Sequence, residues 1–149
     1  VNKYPINEIL PAPAYQRADG KYIDAFASAM KTDIALKLPD SETVAIVDAK
    51  YYSALGVDSA PGWHDLVKQF FYEKALKLVR PAAQIKNAFV FPGKEGPLYS
   101  AHLKSREGAI YFDDKFAPID CYYVDPMLVV QSYISNGKLD QLSRRLLGE

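Results

Sequence analysis

A strand-forming run that ends in charged residues restricts the folds open to this chain of 149 residues. Residues 43–52, TVAIVDAKYY, are almost continuously apolar until they reach Asp48 and Lys50. Such a run is typical of a central strand that is covered on both faces of a sheet. Charged groups near the centre of a sheet are costly to desolvate, so their presence there indicates a functional site.

The segment before this strand predicts its partner. Residues 34–38 alternate apolar and polar side chains, and the turn residues of LPDSE separate them from the apolar run. We therefore predict an antiparallel hairpin, with Asp33 at the head of its first strand. Because successive side chains of a strand point to opposite faces, Asp48 and Lys50 share one face, and Asp33 comes within reach of Asp48.

Residues 57–81, VDSAPGWHDLVKQFFYEKALKLVRP, predict the best helix of the chain. Pro61 and Gly62 stand at its start and Pro81 at its end, as expected for residues that begin and stop helices. Apolar residues at three- and four-residue spacing predict one buried stripe. The stripe consists of Trp63, Leu66, Val67, Phe70, Phe71, Ala75, Leu78 and Val79.

Further strands follow the helix, so the predicted fold class is α/β, with a mixed central sheet flanked by helices. Residues 85–92 predict a buried strand, 97–103 and 108–112 a strand pair, and 119–126 a last strand or its edge. The tail predicts a helix, broken at Asn136-Gly137. Near the start, the chain reads as a loop-rich lead-in with a short helical turn at 6–10, and residues 22–30 fit either a strand or a short helix.

The bulk properties predict one soluble domain, residues 1–149, in the cytoplasm. No apolar run approaches membrane-spanning length, and the lone Cys121 cannot form an internal disulfide. Eighteen basic and 18 acidic residues cancel, whereas a domain that holds nucleic acid by itself is normally basic. If the domain works on nucleic acid, another element delivers it there. The chain begins at Val1 rather than at a methionine, which is typical of a piece of a longer protein.

Two adjacent carboxylates and an ammonium suit a metal-dependent hydrolase. The Asp33 and Asp48 carboxylates repel each other unless a cation lies between them, and oxygen ligands with open positions suit Mg²⁺. The carbonyl of Ala49 can add a ligand. Lys50 can hydrogen-bond an attacking water or stabilise charge on a phosphate in the transition state. This set is therefore a sensible design for phosphodiester hydrolysis.

Simpler explanations compete at each of these positions. Asp48 and Lys50 can be a structural ion pair, and Gln69, on the long helix, can be merely solvated. His64 and His102 lack spaced partners for a zinc site. The tyrosine pairs at 51–52 and 122–123 can stack on bases but more often pack within sheets, and the basic residues of the helix (Lys68, Lys74, Lys77 and Arg80) fit a solvated face with possible phosphate contact.

The ordered set of motifs resembles the PD-(D/E)XK nuclease superfamily, which has the restriction-endonuclease-like fold. Asp33 matches its first acid, and Asp48-Ala49-Lys50 matches the (D/E)XK element. Thr32 stands where the superfamily has proline, a departure that leaves the ligands unchanged. Gln69 and Tyr72 match a glutamine and tyrosine that many members carry on the helix after the catalytic strand. Within the superfamily, residues 30–135 look most like the McrC and LlaJI group of restriction nucleases.

The resemblance implies a Mg²⁺-dependent DNA endonuclease, with Mn²⁺ as a substitute, and a core of about residues 22–135. Asp33, Asp48 and the Ala49 carbonyl would hold the metal, Lys50 would activate water, and Gln69 would orient the lysine or the phosphate. Glu8 is a weaker candidate for an upstream acid. Implied partners are double-stranded DNA, an AAA+ NTPase subunit or a separate recognition domain, and a second copy of the chain. The alternatives are a repair or recombination nuclease and a non-catalytic module that docks an AAA+ partner.

Overall fold

The computed structural model describes residues 2–3, 8, 10–25, 32–108, 110–112 and 114–148 of the chain. Its strands are β1 (Asn2–Lys3), β2 (Ala14–Gln16), β3 (Tyr22–Asp24), β4 (Ile34–Lys37), β5 (Thr43–Ala49), β6 (Gln84–Pro92), β7 (Ser100–Ala101) and β8 (Ile119–Val124). Its helices are α1 (Trp63–Val79), α2 (Pro126–Ile134) and α3 (Asp140–Leu147), with a 3₁₀ turn at Val57–Ser59. Among the described residues, no helix is long and apolar enough to cross a membrane.

Within the described ranges, six strands form a mixed sheet in the order β1-β4-β5-β6-β8-β7. The pairs β5-β6 and β6-β8 are parallel, and the other neighbours are antiparallel. One face packs on α1, through a cluster that includes Ile46 and Leu76. The other packs on α3, through a cluster that includes Val47 and Leu146. The predicted α/β fold class, a mixed sheet flanked by helices, is confirmed.

The predicted hairpin is formed by β4 and β5, which pair antiparallel with Ile34 opposite Val47. Residues 43–48 of β5 are all buried, because strands lie on both sides of β5 and helices cover both of its faces. The chain then crosses over through α1 and returns in β6, parallel to β5. Such a crossover is what a parallel pair requires. As a result, the C-terminal end of β5 lies close to the start of α1.

Helix α1 has its predicted bounds, starting after Gly62 and ending before Pro81. The predicted buried stripe is partly wrong, because several of its apolar members are exposed: Trp63, Val67, Phe71, Leu78 and Val79. Phe70 and Ala75 are buried as predicted, and the other buried residues of the helix are Gln69, Tyr72, Glu73 and Leu76. The helix carries apolar residues on more than one face, so apolar spacing alone could not decide which face packs on the sheet.

The second half of the sheet differs from the prediction. The strand pair expected at 97–103 and 108–112 is reduced to β7, which pairs with β8, and a single bridge between Lys104 and Tyr111. The predicted last strand is formed by β8, which lies beside β6, inside the sheet rather than at its edge. Only the outer side of β8 is left for the preceding segment.

The two ends of the chain also refine the predictions. The tail is split into α2 and α3, and Asn136, at the predicted break, adopts a left-handed φ of 52°. Near the start, the predicted lead-in contains a two-stranded sheet of β2 and β3, which decides residues 22–24 in favour of a strand. Residues 26–30 lie outside the described residues, as does most of the helical turn predicted at 6–10.

Candidate active site

The structure brings Asp33 and Asp48 together at one end of the β4-β5 hairpin. Ile34 pairs with Val47, so continuing the antiparallel register places Asp33 opposite Asp48, on the face covered by α1. Asp48 is buried, with 3% of its surface exposed, whereas Asp33 is exposed. Desolvation and the neighbouring Asp48 carboxylate, with which Asp33 can share a hydrogen bond, raise the pKa of Asp33. Two carboxylates in this arrangement favour a bound proton or cation.

Lys50 lies between two acids. Its Nζ donates hydrogen bonds to Asp48 Oδ2 at 2.9 Å and to Asp65 Oδ1 at 2.8 Å, and it lies 5.3 Å from the centre of the Phe89 ring. Burial by itself would lower the pKa of Lys50, but the hydrogen bonds to Asp65 and Asp48 outweigh it, and the pKa is raised. The ammonium is therefore charged and fixed beside the paired carboxylates.

The sequence reasoning missed two residues of this cluster, Asp65 and Lys68 on the first turns of α1. The Lys68 Nζ lies 3.0 Å from Asp48 Oδ2 and 4.0 Å from Asp65 Oδ1. Lys68 was predicted to lie on a solvated face with possible phosphate contact, and the structure turns it towards Asp48 at the strand ends. The signal that could have found both residues is their spacing of seven and four positions from Tyr72, which places all three side chains on one face of the helix.

Gln69 is buried between α1 and the sheet. It is 1% exposed, and its side-chain Oε1 has no hydrogen-bond partner. The Asn87 Nδ2 of β6 donates to the backbone oxygen of Gln69 at 3.4 Å, and the Asn87 Oδ1 is likewise unpaired. Within the described part of the chain, the hydrogen-bond partners of the Lys50 ammonium are the two acids, not Gln69. The role predicted for Gln69 stays a prediction.

Replacing Gln69 by leucine is expected to keep or raise the free energy of unfolding, by up to about 1–3 kcal/mol, because a buried unpaired acceptor is costly. Urea unfolding followed by circular dichroism measures this. The matched control is Leu76→Ala, two turns further along the same buried face, which should lose about 2–5 kcal/mol. A comparable loss in Gln69→Leu would contradict the prediction and would mean that the amide makes stabilising bonds.

The donor set of this site fits a hard cation such as Mg²⁺. Mg²⁺ is commonly held by one or two carboxylates and keeps several waters. The amide of Lys50 donates to Val90 of β6, so the peptide groups of Ala49 point the other way, towards β4 and the side of Asp33. Among the described residues there is no group of three or more His, Cys, Asp or Glu that could hold a metal. A metal here would rest on two carboxylates and a carbonyl.

Of the remaining candidates, His64 adjoins Asp65 in the chain and interacts electrostatically with it. Glu8 is exposed, and the residues on either side of it lie outside the described part of the chain. His64 is exposed at the start of α1, and the ring Nε2 of His102 lies 2.7 Å from the Ser100 hydroxyl. Tyr123 packs within the sheet and donates to the Ala54 carbonyl at 2.8 Å.

Comparison with known families identifies the class of protein. The profile of the LlaJI restriction endonuclease family matches residues 4–102, about two thirds of the chain, including both strands of the hairpin and α1. The chain therefore belongs to the LlaJI restriction endonuclease family. The predicted resemblance to the McrC and LlaJI group is confirmed on its LlaJI side.

A curated relative of the chain is a component of a type II restriction enzyme. The chain is 29% identical over 107 residues to the type II restriction enzyme BsuMI component YdjA of Bacillus subtilis (strain 168). The match covers 68% of this chain but 22% of YdjA, so the chain spans about a fifth of that relative's length. No solved structure matches the chain.

Proposed function

We propose that this chain is the DNA-cleaving domain of a restriction system and hydrolyses phosphodiester bonds with the help of Mg²⁺. One observation carries the proposal: a buried strand ends in Asp48, which faces Asp33 and accepts a hydrogen bond from the Lys50 ammonium. Membership in a restriction endonuclease family supports it. The same order of acid, Asp-x-Lys strand and Gln-bearing helix resembles the PD-(D/E)XK superfamily.

In this proposal Asp33, Asp48 and the Ala49 carbonyl hold the metal, and Lys50 acts on the reacting groups. When bound there, Mg²⁺ would supply Lewis-acid stabilisation of the phosphate and a more acidic water. Lys50 donates hydrogen bonds to the attacking water or to a phosphate oxygen, where negative charge develops. Its raised pKa keeps the ammonium charged near neutral pH. Gln69, which is buried between α1 and the sheet, would orient the lysine or the phosphate.

DNA is expected to reach this domain with the help of other protein elements. The formal net charge is zero, so the chain lacks the excess of basic residues that non-specific DNA binding uses. We propose that a recognition domain or an AAA+ NTPase partner brings duplex DNA to the site, in the cytoplasm. A second copy of the chain would allow cleavage of both strands.

The proposal predicts that the chain nicks or cuts duplex DNA only when Mg²⁺ or Mn²⁺ is present. Supercoiled plasmid is incubated with a high protein concentration, with each metal, with Ca²⁺ and with EDTA, and the products are separated on a gel. Binding measured in parallel should be weak and should fall as salt rises. Cleavage that persists in EDTA would contradict the metal requirement, and tight sequence-specific binding would contradict the need for a separate recognition element.

A second candidate function is assembly, because the surface of α2 is unusually apolar. Residues Met127, Leu128, Val129, Val130, Tyr133 and Ile134 are all exposed. This surface favours a module that docks a partner such as an AAA+ subunit. An assembly module would keep its cellular role after Asp48 and Lys50 are both replaced by alanine, whereas the nuclease would lose it. Family membership favours a restriction system over repair or recombination.

A further inference from the structure

We infer that Asp65 is a positioning residue that holds the Lys50 ammonium at the reacting groups, an inference that rests on the proposed nuclease function. Asp65 is on the first turn of α1, and its Oδ1 lies 2.8 Å from Lys50 Nζ. The contact spans 15 positions of sequence and joins the end of β5 to the start of α1. It is at least as short as the bond from Lys50 to Asp48, at 2.9 Å.

A second acceptor is needed to hold the Lys50 ammonium, because Asp48 is also a proposed ligand of the metal. In the proposed mechanism Asp48 would also hold the metal, so its carboxylate would be less available to accept a hydrogen bond from Lys50. Asp65 then supplies the remaining charged acceptor among the described partners of the ammonium. The Lys50 side chain is 11% exposed and that of Asp65 is 28% exposed, so solvent screens this pair less than a surface ion pair.

The distances also show that Asp65 interacts more closely with Lys50 than with Lys68. The Asp65 Oδ1 lies 2.8 Å from Lys50 Nζ but 4.0 Å from Lys68 Nζ, although Lys68 is on the same helix. The hydrogen bond from Lys50 is the largest influence on Asp65 and lowers the pKa of its carboxyl. Asp65 is therefore ionised and directed at the catalytic strand rather than along its own helix.

A simpler role for Asp65 is to stabilise the start of α1, where an acidic residue interacts favourably with the helix dipole. The chain offers a matched comparison for this role. Asp140 is an exposed acid in the first turn of α3, where it faces the same kind of helix terminus away from the site. A dipole role would make Asp65→Asn and Asp140→Asn alike in stability and would leave cleavage unchanged in both.

The test is a double-mutant cycle on cleavage by the chain, using Asp65→Asn, Lys50→Met and the double variant with saturating Mg²⁺ under single-turnover conditions. Asp65→Asn should lower the rate about 10- to 100-fold and leave the DNA concentration for half-maximal rate nearly unchanged. In the Lys50→Met background the same change should have almost no further effect, because the group that Asp65 holds is gone. Asp65→Glu, which keeps a carboxylate, should recover most of the lost rate, and Asp140→Asn should match the wild type.

The outcomes separate this inference from the proposed function. If the wild type cleaves but Asp65→Asn lowers the rate equally with and without Lys50, Asp65 acts independently and the inference is overturned alone. If Asp65→Asn cleaves as fast as the wild type, the inference is likewise overturned and the proposed function is not. If the wild type fails to cleave with Mg²⁺ and Mn²⁺, the proposed function falls and the inference falls with it. Thermal unfolding of each variant, with Asp65→Glu as the second substitution, separates lost folding from lost positioning.

Discussion

Replacing Asp48 by asparagine is expected to lower the rate of Mg²⁺-dependent DNA cleavage by about 10³-fold or more. Asp48 is the central residue of the site. Asp33 lies opposite it, and both Lys50 and Lys68 contact its Oδ2. The substitution keeps the shape of the side chain but removes the charge that a divalent ion needs. Losing the several kcal/mol of charge stabilisation that a catalytic metal supplies corresponds to a change of this size.

Asp120→Asn is the matched control, because it removes a partly buried acid from a strand of the same sheet on its opposite face. Asp120 pairs with Ala88 of β6, whereas Asp48 pairs with Phe89, the next residue of that strand. Cleavage rate and the heat of Mg²⁺ binding are measured for both variants, with circular dichroism to verify folding. Asp120→Asn should retain the wild-type values. A cleaving Asp48→Asn variant, or equal losses in the two variants, would remove Asp48 from the site.

The part of the site that lies on the hairpin could be predicted because it depends on local rules. Asp48 and Lys50 share a face through strand alternation, and a short turn between two strand-forming segments fixes the register that brings Asp33 opposite Asp48. Neither inference depends on how distant segments of the chain pack together. The bounds of α1 could also be predicted, since Pro61, Gly62 and Pro81 act on the backbone next to them.

The addition of Asp65 and Lys68 to the site was not predicted, because it depends on how α1 is rotated over the sheet. Apolar spacing favoured a face that includes Trp63 and Phe71, which the structure leaves exposed, and so it hid the direction of Asp65 and Lys68. The structure instead buries Gln69 and Glu73, and the Glu73 carboxylate accepts a hydrogen bond from the Ala117 amide at 3.2 Å. Polar residues on a buried face break the apolar pattern on which a periodicity argument depends.

Replacing Lys50 by methionine is expected to lower cleavage about 10²-fold or more while leaving Mg²⁺ binding intact or tighter. Methionine keeps most of the length and apolar stem, including packing near Phe89, but lacks the ammonium that would stabilise charge on the phosphate. Metal affinity should not fall, because the cluster places the cations Lys50 and Lys68 among the acids Asp33, Asp48 and Asp65. Removing one cation leaves the carboxylates less neutralised and therefore more attractive to Mg²⁺.

This opposite response of rate and metal affinity distinguishes a lysine that acts on the substrate from one that only balances buried acids. Single-turnover cleavage gives the rate, and titration calorimetry with Mg²⁺ or Mn²⁺ gives the affinity. Lys74→Met is the control. Lys74 is also a partly exposed lysine, but its Nζ lies 4.6 Å from the centre of the Phe116 ring and 3.8 Å from Glu73 Oε1, rather than at Asp33 and Asp48. If Lys50→Met loses metal binding as Asp48→Asn does, Lys50 holds the acids in place and the water or phosphate must be activated by another group. Lys68 would then be the next residue to replace, because it contacts the same oxygen of Asp48 from the helix side.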